Sequence, residues 1–139
     1  MSEGRVVFDV GLPPVSLRAN SRAHYRRKKK DADEYSVAIA ADVEFQICRE
    51  HTALPMKKAR VRYVWHYAGV EPDHSNLGGH TKYLQDILCM APKNAKPGYR
   101  RWHLGLVEDD RGITAEYEAV KVAHRKDEKV VITVEEVRD

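Results

Sequence analysis

Two acidic clusters, separated by a short amphipathic segment, place the strongest constraint on how this chain folds. The first cluster lies within Val70–Leu77 and the second is Glu108–Asp110. Between them, Thr81–Leu88 has apolar residues at helical spacing and a lysine, Lys82, near its start. Carboxylates from separate segments repel one another, so a fold that joins them usually needs a cation. The pattern therefore indicates a cation site, although capping by Asp73 and a solvated turn explain each cluster taken alone.

The composition is that of a soluble globular protein whose residues 1–139 form a single domain. The chain is 42% hydrophobic and 32% charged, which suits a modest core and excludes a disordered chain. No apolar run reaches the length of a membrane span, and the N-terminus lacks the apolar core of a signal peptide. Cys48 and Cys89 lie in predicted helices without metal-ligand spacing. We expect both to be reduced and buried in a cytoplasmic protein.

Hydrophobic periodicity predicts an α/β (α+β) domain, with a mixed sheet of about four strands packed against two main helices. Apolar residues that recur about every four positions predict helices over residues 31–50 and 81–90. Alternating patterns predict strands at Arg5–Val10, Lys58–Tyr67, Thr114–Ala123 and Val130–Val137.

Two stretches rich in Lys and Arg accompany the acidic clusters. From Arg18 to Lys30, a predicted loop, seven of thirteen residues are basic and none is acidic, which favours a polyanionic partner. In the predicted loop over 91–103, basic residues interleave with Tyr99 and Trp102, as suits phosphate contacts and base stacking. The alternatives are solvated loops, with Trp102 packed on the core. The predicted phosphate contacts are Arg18, Arg22, Arg26, Arg27, Lys28, Lys93, Lys96, Arg100 and Arg101.

The order of these motifs resembles the RusA-type Holliday junction resolvases. That family has approximately Asp-x-Asp-Asn-Leu, then Lys-x-x-x-Asp, then a glycine-hydrophobic turn into Asp-Asp. This chain has Asp-His-Ser-Asn-Leu at 73–77, Lys-Tyr-Leu-Gln-Asp at 82–86 and Gly-Leu-Val-Glu-Asp-Asp at 105–110. The layout matches over nearly the whole chain. Extra residues before Lys82 are similar to those in phage members, and residues 91–103 look like an insertion.

The resemblance implies a homodimeric, Mg²⁺-dependent endonuclease, with Mn²⁺ as an alternative, that cuts four-way DNA junctions. Its setting would be phage recombination, repair or packaging in the cytoplasm of a bacterial host. Carried over by motif, Asp73 and Asp110 would be catalytic metal ligands, and Lys82 would stabilise charge developing at the phosphate. Asn76 would order the turn, and Asp86 would orient Lys82. Carboxylate oxygens are the ligands that Mg²⁺ prefers.

One position departs from the family pattern, because the second motif aspartate falls on Ser75. Either Glu71 or Glu108 supplies the missing carboxylate, or water fills its place, or the protein has lost catalysis and only binds DNA junctions. The candidate metal ligands are Glu71, Asp73, Asp109 and Asp110. We expect the carboxyl groups of Asp73 and Asp110 to lie within about 8 Å of each other. A small protein-interaction domain with structural acidic turns is the third interpretation.

Overall fold

Four segments that alternate apolar and polar residues form one mixed sheet. The computed structural model describes residues 4–43, 46, 54–97 and 101–137. In this part of the chain the strand order is β1-β4-β2-β3. Strand β4 runs antiparallel to both β1 and β2, and β3 runs parallel to β2. The predicted mixed sheet is confirmed. The strands are β1 (Arg5–Val10), β2 (Ala59–Tyr67), β3 (Ile113–Lys121) and β4 (Lys129–Glu136).

One face of the sheet forms the core. On the central strands β2 and β4, alternate side chains are at most 4% exposed; they are Val61, Tyr63, Trp65, Val130, Ile132 and Val134. The side chains between them point to the opposite face, because successive residues of a strand alternate in direction. There, β2 and β3 are linked by ion pairs between Arg60 and Glu116 and between Arg62 and Glu118. The helices therefore cover the apolar face, and the charged face is left to solvent.

Helix α1 (Tyr25–Val43) begins earlier than the sequence predicts. The predicted helix starts at residue 31, so the prediction of a loop up to Lys30 is wrong for residues 25–30. Within the helix, three basic residues pair with acidic residues four positions later, which offsets the repulsion inside the basic block. The pairs are Arg27–Asp31 at 3.1 Å, Lys29–Asp33 at 3.8 Å and Lys30–Glu34 at 4.0 Å. Beyond Val43, the predicted helix falls mostly outside the described residues.

Two further helices connect β2 to β3: α2 (Leu77–His80) and α3 (Lys82–Leu88). Helix α3 ends before the predicted residue 90 because Cys89 is extended and forms a β-bridge with Val107. The prediction of a helical Cys89 is therefore wrong, whereas its burial as a free thiol is confirmed. Cys48 lies outside the described residues. Within the described residues, three helices and four strands form one α+β domain, and no helix has the length and apolar character needed to cross a membrane.

Candidate functional site

The second acidic cluster is held in place by a buried segment. The apolar side chains of residues 104–107 are at most 3% exposed. The amide of Leu106 donates to the carbonyl of Leu88, and its carbonyl accepts from the amide of Met56, both at 2.8 Å. Gly105 allows this path because it adopts a φ of 65°, a region that favours glycine. The segment therefore fixes residues 108–110 beside the end of α3.

The carboxylates of Asp86, Asp109 and Asp110 line one cavity of about 940 Å³, which we call the acidic cavity. Asp86 comes from α3, and the other two residues precede β3. Further charged or titratable side chains lining the same cavity are Lys93, Arg101, His103, Glu108 and Arg111. Carboxylates that suit a divalent cation thus lie next to cations that suit phosphate groups.

Asp109 and Asp110 are neighbouring carboxyl groups that shift each other's pKa in opposite directions. Hydrogen bonding to the Asp109 side chain, with smaller contributions from desolvation and like charge, raises the pKa of Asp110. The Arg111 guanidinium donates to Asp109 Oδ2 at 2.8 Å and holds the pKa of Asp109 well below its usual range. A divalent cation would offset the mutual repulsion of these two carboxylates. Mg²⁺ needs only one or two carboxylates, with water and substrate phosphate at its other positions, so this pair fits it.

Asp86 lies in a partly buried environment between cations. Burial raises the pKa of Asp86, and the nearby charges of Arg101, Lys82 and His103 oppose that shift. The Nε of Arg101 lies 3.5 Å from Asp33 Oδ1 on α1. His103 Nδ1 donates to the backbone carbonyl of Asp86 at 3.0 Å. Arg101 therefore joins α1 to α3 beside the acidic cavity, while Lys82 is exposed and does not line it.

The first acidic cluster has a different role in the structure. Asp73 caps the short 3-10 turn His74–Asn76: its Oδ1 accepts the amide of Ser75 at 3.1 Å and the Ser75 hydroxyl at 3.0 Å. Glu71 and Asp73 line a second cavity, of about 530 Å³, together with Glu118 and neighbouring residues of β3. The backbone amide of Asn76 donates to the Asp73 carbonyl at 2.9 Å, so Asn76 takes part in the turn.

The four predicted metal ligands therefore divide into two pairs, one in each cavity. Among the described residues, no group of three or more His, Cys, Asp or Glu side chains is arranged to hold a metal ion. The approach of Asp73 and Asp110 to within about 8 Å stays a prediction. The sequence predicts Asp86 as a partner of Lys82, and no motif in it indicates that His103 lines the same cavity as Asp86. The spacing of Lys82 and Asp86 gave no signal of a cavity.

The predicted phosphate contacts differ in how available they are. Arg22, Arg26, Arg27, Lys93 and Lys96 are exposed. Lys28 is partly buried and donates to the Ser21 carbonyl at 3.2 Å. Arg18 donates to the Pro13 carbonyl at 2.9 Å and lies over the Trp65 ring, so it also has a structural role. Arg101 lines the acidic cavity, and Arg100 lies outside the described residues. Trp102 is 55% exposed, which rules out the alternative in which it packs in the core.

His80 anchors the start of the basic segment to α2. Its Nδ1 accepts the backbone amide of Ala19 at 3.0 Å, and its ring packs 5.4 Å from that of Trp65. Burial, with a smaller contribution from Arg18, lowers the pKa of His80. A protonated Nδ1 has no lone pair to accept this bond, so the anchor requires neutral His80.

We expect His80→Asn to flatten the dependence of stability on pH. Because folding lowers the pKa of His80, the unfolded chain binds more protons. Wild-type stability therefore falls as pH drops through about 6.5, the ordinary histidine value, towards the folded value. The asparagine oxygen can still accept the Ala19 amide but does not titrate. Urea unfolding at about pH 7.5 and about pH 5 measures the difference. Equal losses in wild type and variant would contradict this role.

Two comparisons with known proteins identify no relative of this chain. A scan against models of protein families finds none that matches the chain. A search of curated proteins also returns no match. The likeness to RusA-type resolvases therefore rests on the motifs of the sequence.

Proposed function

We propose that this chain is a Mg²⁺-dependent endonuclease, encoded by a phage or prophage, that cuts four-way or branched DNA as a homodimer in the cytoplasm of a bacterial host. The observation that best supports catalysis is the acidic cavity, where Asp86, Asp109 and Asp110 lie beside Lys93 and Arg101. Phosphodiester hydrolysis needs this combination, because negative charge grows on the phosphate oxygens in the transition state. The motif resemblance supplies the class of DNA and the homodimer.

In this proposal each group of side chains has a separate task. Asp109 and Asp110 would hold Mg²⁺, and Asp86 would orient its water ligands. When bound, Mg²⁺ polarises a phosphoryl oxygen and offsets developing negative charge. Lys93 and Arg101 would hold phosphates at the cavity. Lys82, which is exposed, would reach the phosphate only once DNA is bound.

A DNA-junction binding protein without catalysis is the second candidate, and the turn at Asp73 favours it. Oδ1 of Asp73 is already engaged by both donors of Ser75, as expected of a helix cap. Asp73 also lines a different cavity from Asp110. If cleavage requires Asp73 as a ligand, this arrangement describes a protein that keeps the DNA surface but not the reaction.

Ser75→Asp separates the two candidates. If the turn at Asp73 also contributes to the metal site once DNA is bound, the added carboxylate should raise Mg²⁺ affinity about tenfold and increase cleavage of a synthetic four-way junction. Ser75→Asn is the matched control, because it removes the same hydroxyl without adding charge. Cleavage is followed on labelled junction DNA across a Mg²⁺ titration. Absence of cleavage by wild type and Ser75→Asp at every Mg²⁺ concentration would overturn the nuclease and favour the binding protein.

Replacing Arg26, Arg27 and Lys28 together by Ala should weaken binding to a four-way junction and reduce its salt dependence. Each lost phosphate contact lowers the slope of log affinity against log salt by about one. We expect the slope to fall by less than three units, because Arg27 pairs with Asp31 and Lys28 donates a hydrogen bond to the Ser21 carbonyl. Fluorescence anisotropy at several salt concentrations gives the slope. An unchanged slope would show that these three basic residues are solvated and make no phosphate contacts.

A further inference from the structure

Trp102 is an exposed aromatic residue between two residues that line the acidic cavity. Its side chain is 55% exposed, whereas Trp65, in the core, is 4% exposed. The residues on either side of it, Arg101 and His103, line the acidic cavity, but Trp102 does not. The exposed indole is therefore carried by a segment that borders the acidic cavity.

The backbone that carries this indole is fixed on both sides. The Trp102 amide donates to the hydroxyl of Ser36, a fully buried residue of α1, at 3.0 Å. Arg101 pairs with Asp33 and lies 5.3 Å from the centroid of the Tyr83 ring. His103 is bonded to the carbonyl of Asp86. Because the backbone around Trp102 is already ordered, stacking of a ligand on the indole costs less conformational entropy of the protein.

A second exposed aromatic residue, Tyr25, begins the helix to which the Trp102 backbone is bonded. Tyr25 is 68% exposed. It precedes Ser36 by eleven positions, which is about three turns, so the two lie on one face and roughly 16 Å apart along the helix. Lys29 lies between them on nearly the same face. Tyr25 and the backbone that carries Trp102 thus lie at the two ends of a part of α1 that includes Lys29. Exposed aromatic side chains near basic residues suit bases that stack and a backbone that is held by charge.

We infer that Trp102 and Tyr25 bind unpaired nucleobases, so that the preferred substrate is a branched DNA with unpaired bases at its branch point. This inference rests on the proposed function and narrows its substrate class. A linear duplex keeps its base faces stacked inside the helix and offers an indole little to contact. Unstacked bases at a branch expose those faces, and each stacked base adds substantially to affinity.

The test compares three DNAs: a four-way junction with unpaired thymines at its centre, a fully paired junction, and a linear duplex. Trp102→Ala should weaken binding to the first by about tenfold and leave duplex binding unchanged. Trp102→Phe keeps an aromatic face and should stay within about threefold of wild type. Tyr25→Ala should show a smaller loss of the same kind. Val15→Ala, which shortens another exposed apolar side chain (71% exposed), is the control and should bind all three DNAs as wild type.

Fluorescence provides an independent readout, because the chain has two tryptophans and one is buried. The junction with unpaired thymines should quench the tryptophan fluorescence of wild type but not that of Trp102→Phe. In that variant, the emission of buried Trp65 reports that the fold is intact. If Trp102→Ala binds every DNA as wild type does, or loses affinity equally for duplex and junctions, the inference is wrong and the nuclease proposal stands. If wild type binds none of the three DNAs, both proposals fail.

Discussion

Asp110→Asn is expected to reduce Mg²⁺-dependent cleavage of a four-way junction by at least about a hundredfold. Asparagine keeps the size of the side chain but removes the charge that, in the proposed site, would hold a divalent cation with Asp109. The substitution also removes a negative charge from the cavity, so binding to junction DNA should be retained or slightly strengthened. Single-turnover cleavage and anisotropy binding, measured on the same DNA, separate the two effects.

Asp127→Asn is the matched control for this loss. Asp127 is an exposed carboxylate in the turn between β3 and β4 and lines neither cavity. The Asp127→Asn variant should cleave junction DNA at the wild-type rate. Wild-type cleavage by Asp110→Asn would contradict the role of the acidic cavity, and equal losses in both variants would point to net charge rather than a metal site.

Gly112→Ala should be the most destabilising of the small substitutions near the site. A Cβ at Gly112 would lie 2.2 Å from the backbone carbonyl oxygen of Lys57, so the start of β3 must move away from the chain before β2. We expect a loss of about 3 kcal/mol in the free energy of unfolding and a melting temperature lower by roughly 10 °C. Cleavage should fall as well, because Gly112 ends the turn that begins at Asp110.

Gly69→Ala serves as the control, since a Cβ there meets nothing within 4 Å. Its unfolding free energy should stay within about 0.5 kcal/mol of wild type. Thermal and urea unfolding of the two variants measure the difference. Equal stability of the two alanine variants would show that β3 tolerates the shift, and this explanation would then be wrong.

The sheet was predictable because each strand carries its own signal. In β2, the spacing of Val61, Tyr63 and Trp65, with Arg60, Arg62 and His66 at intervening positions, gives both the strand and its buried face. The start of α1 was not predictable from charge alone. Like charges at 26–30 argue against a helix until three of the five are matched with an acid four positions later, such as Asp31 for Arg27.

The candidate site was only partly accessible from the sequence. The motifs identify Asp86, Asp109 and Asp110 as candidate residues, but they do not show that the three line one cavity. That arrangement depends on residues 104–107 docking between α3 and Met56, a contact between distant segments that no local pattern records. The separate cavity of Asp73 arises in the same way, because its position depends on how the turn meets β3.

The central claim is that the acidic cavity binds the divalent cation, and paramagnetic relaxation tests it most directly. Substoichiometric Mn²⁺ is added to ¹⁵N-labelled protein, and the broadening of each amide signal is mapped on the chain. The account predicts broadening centred on residues 86–90 and 108–111 that excess Mg²⁺ reverses. Broadening centred on Glu71–Ser75, or no site-specific broadening, would contradict it.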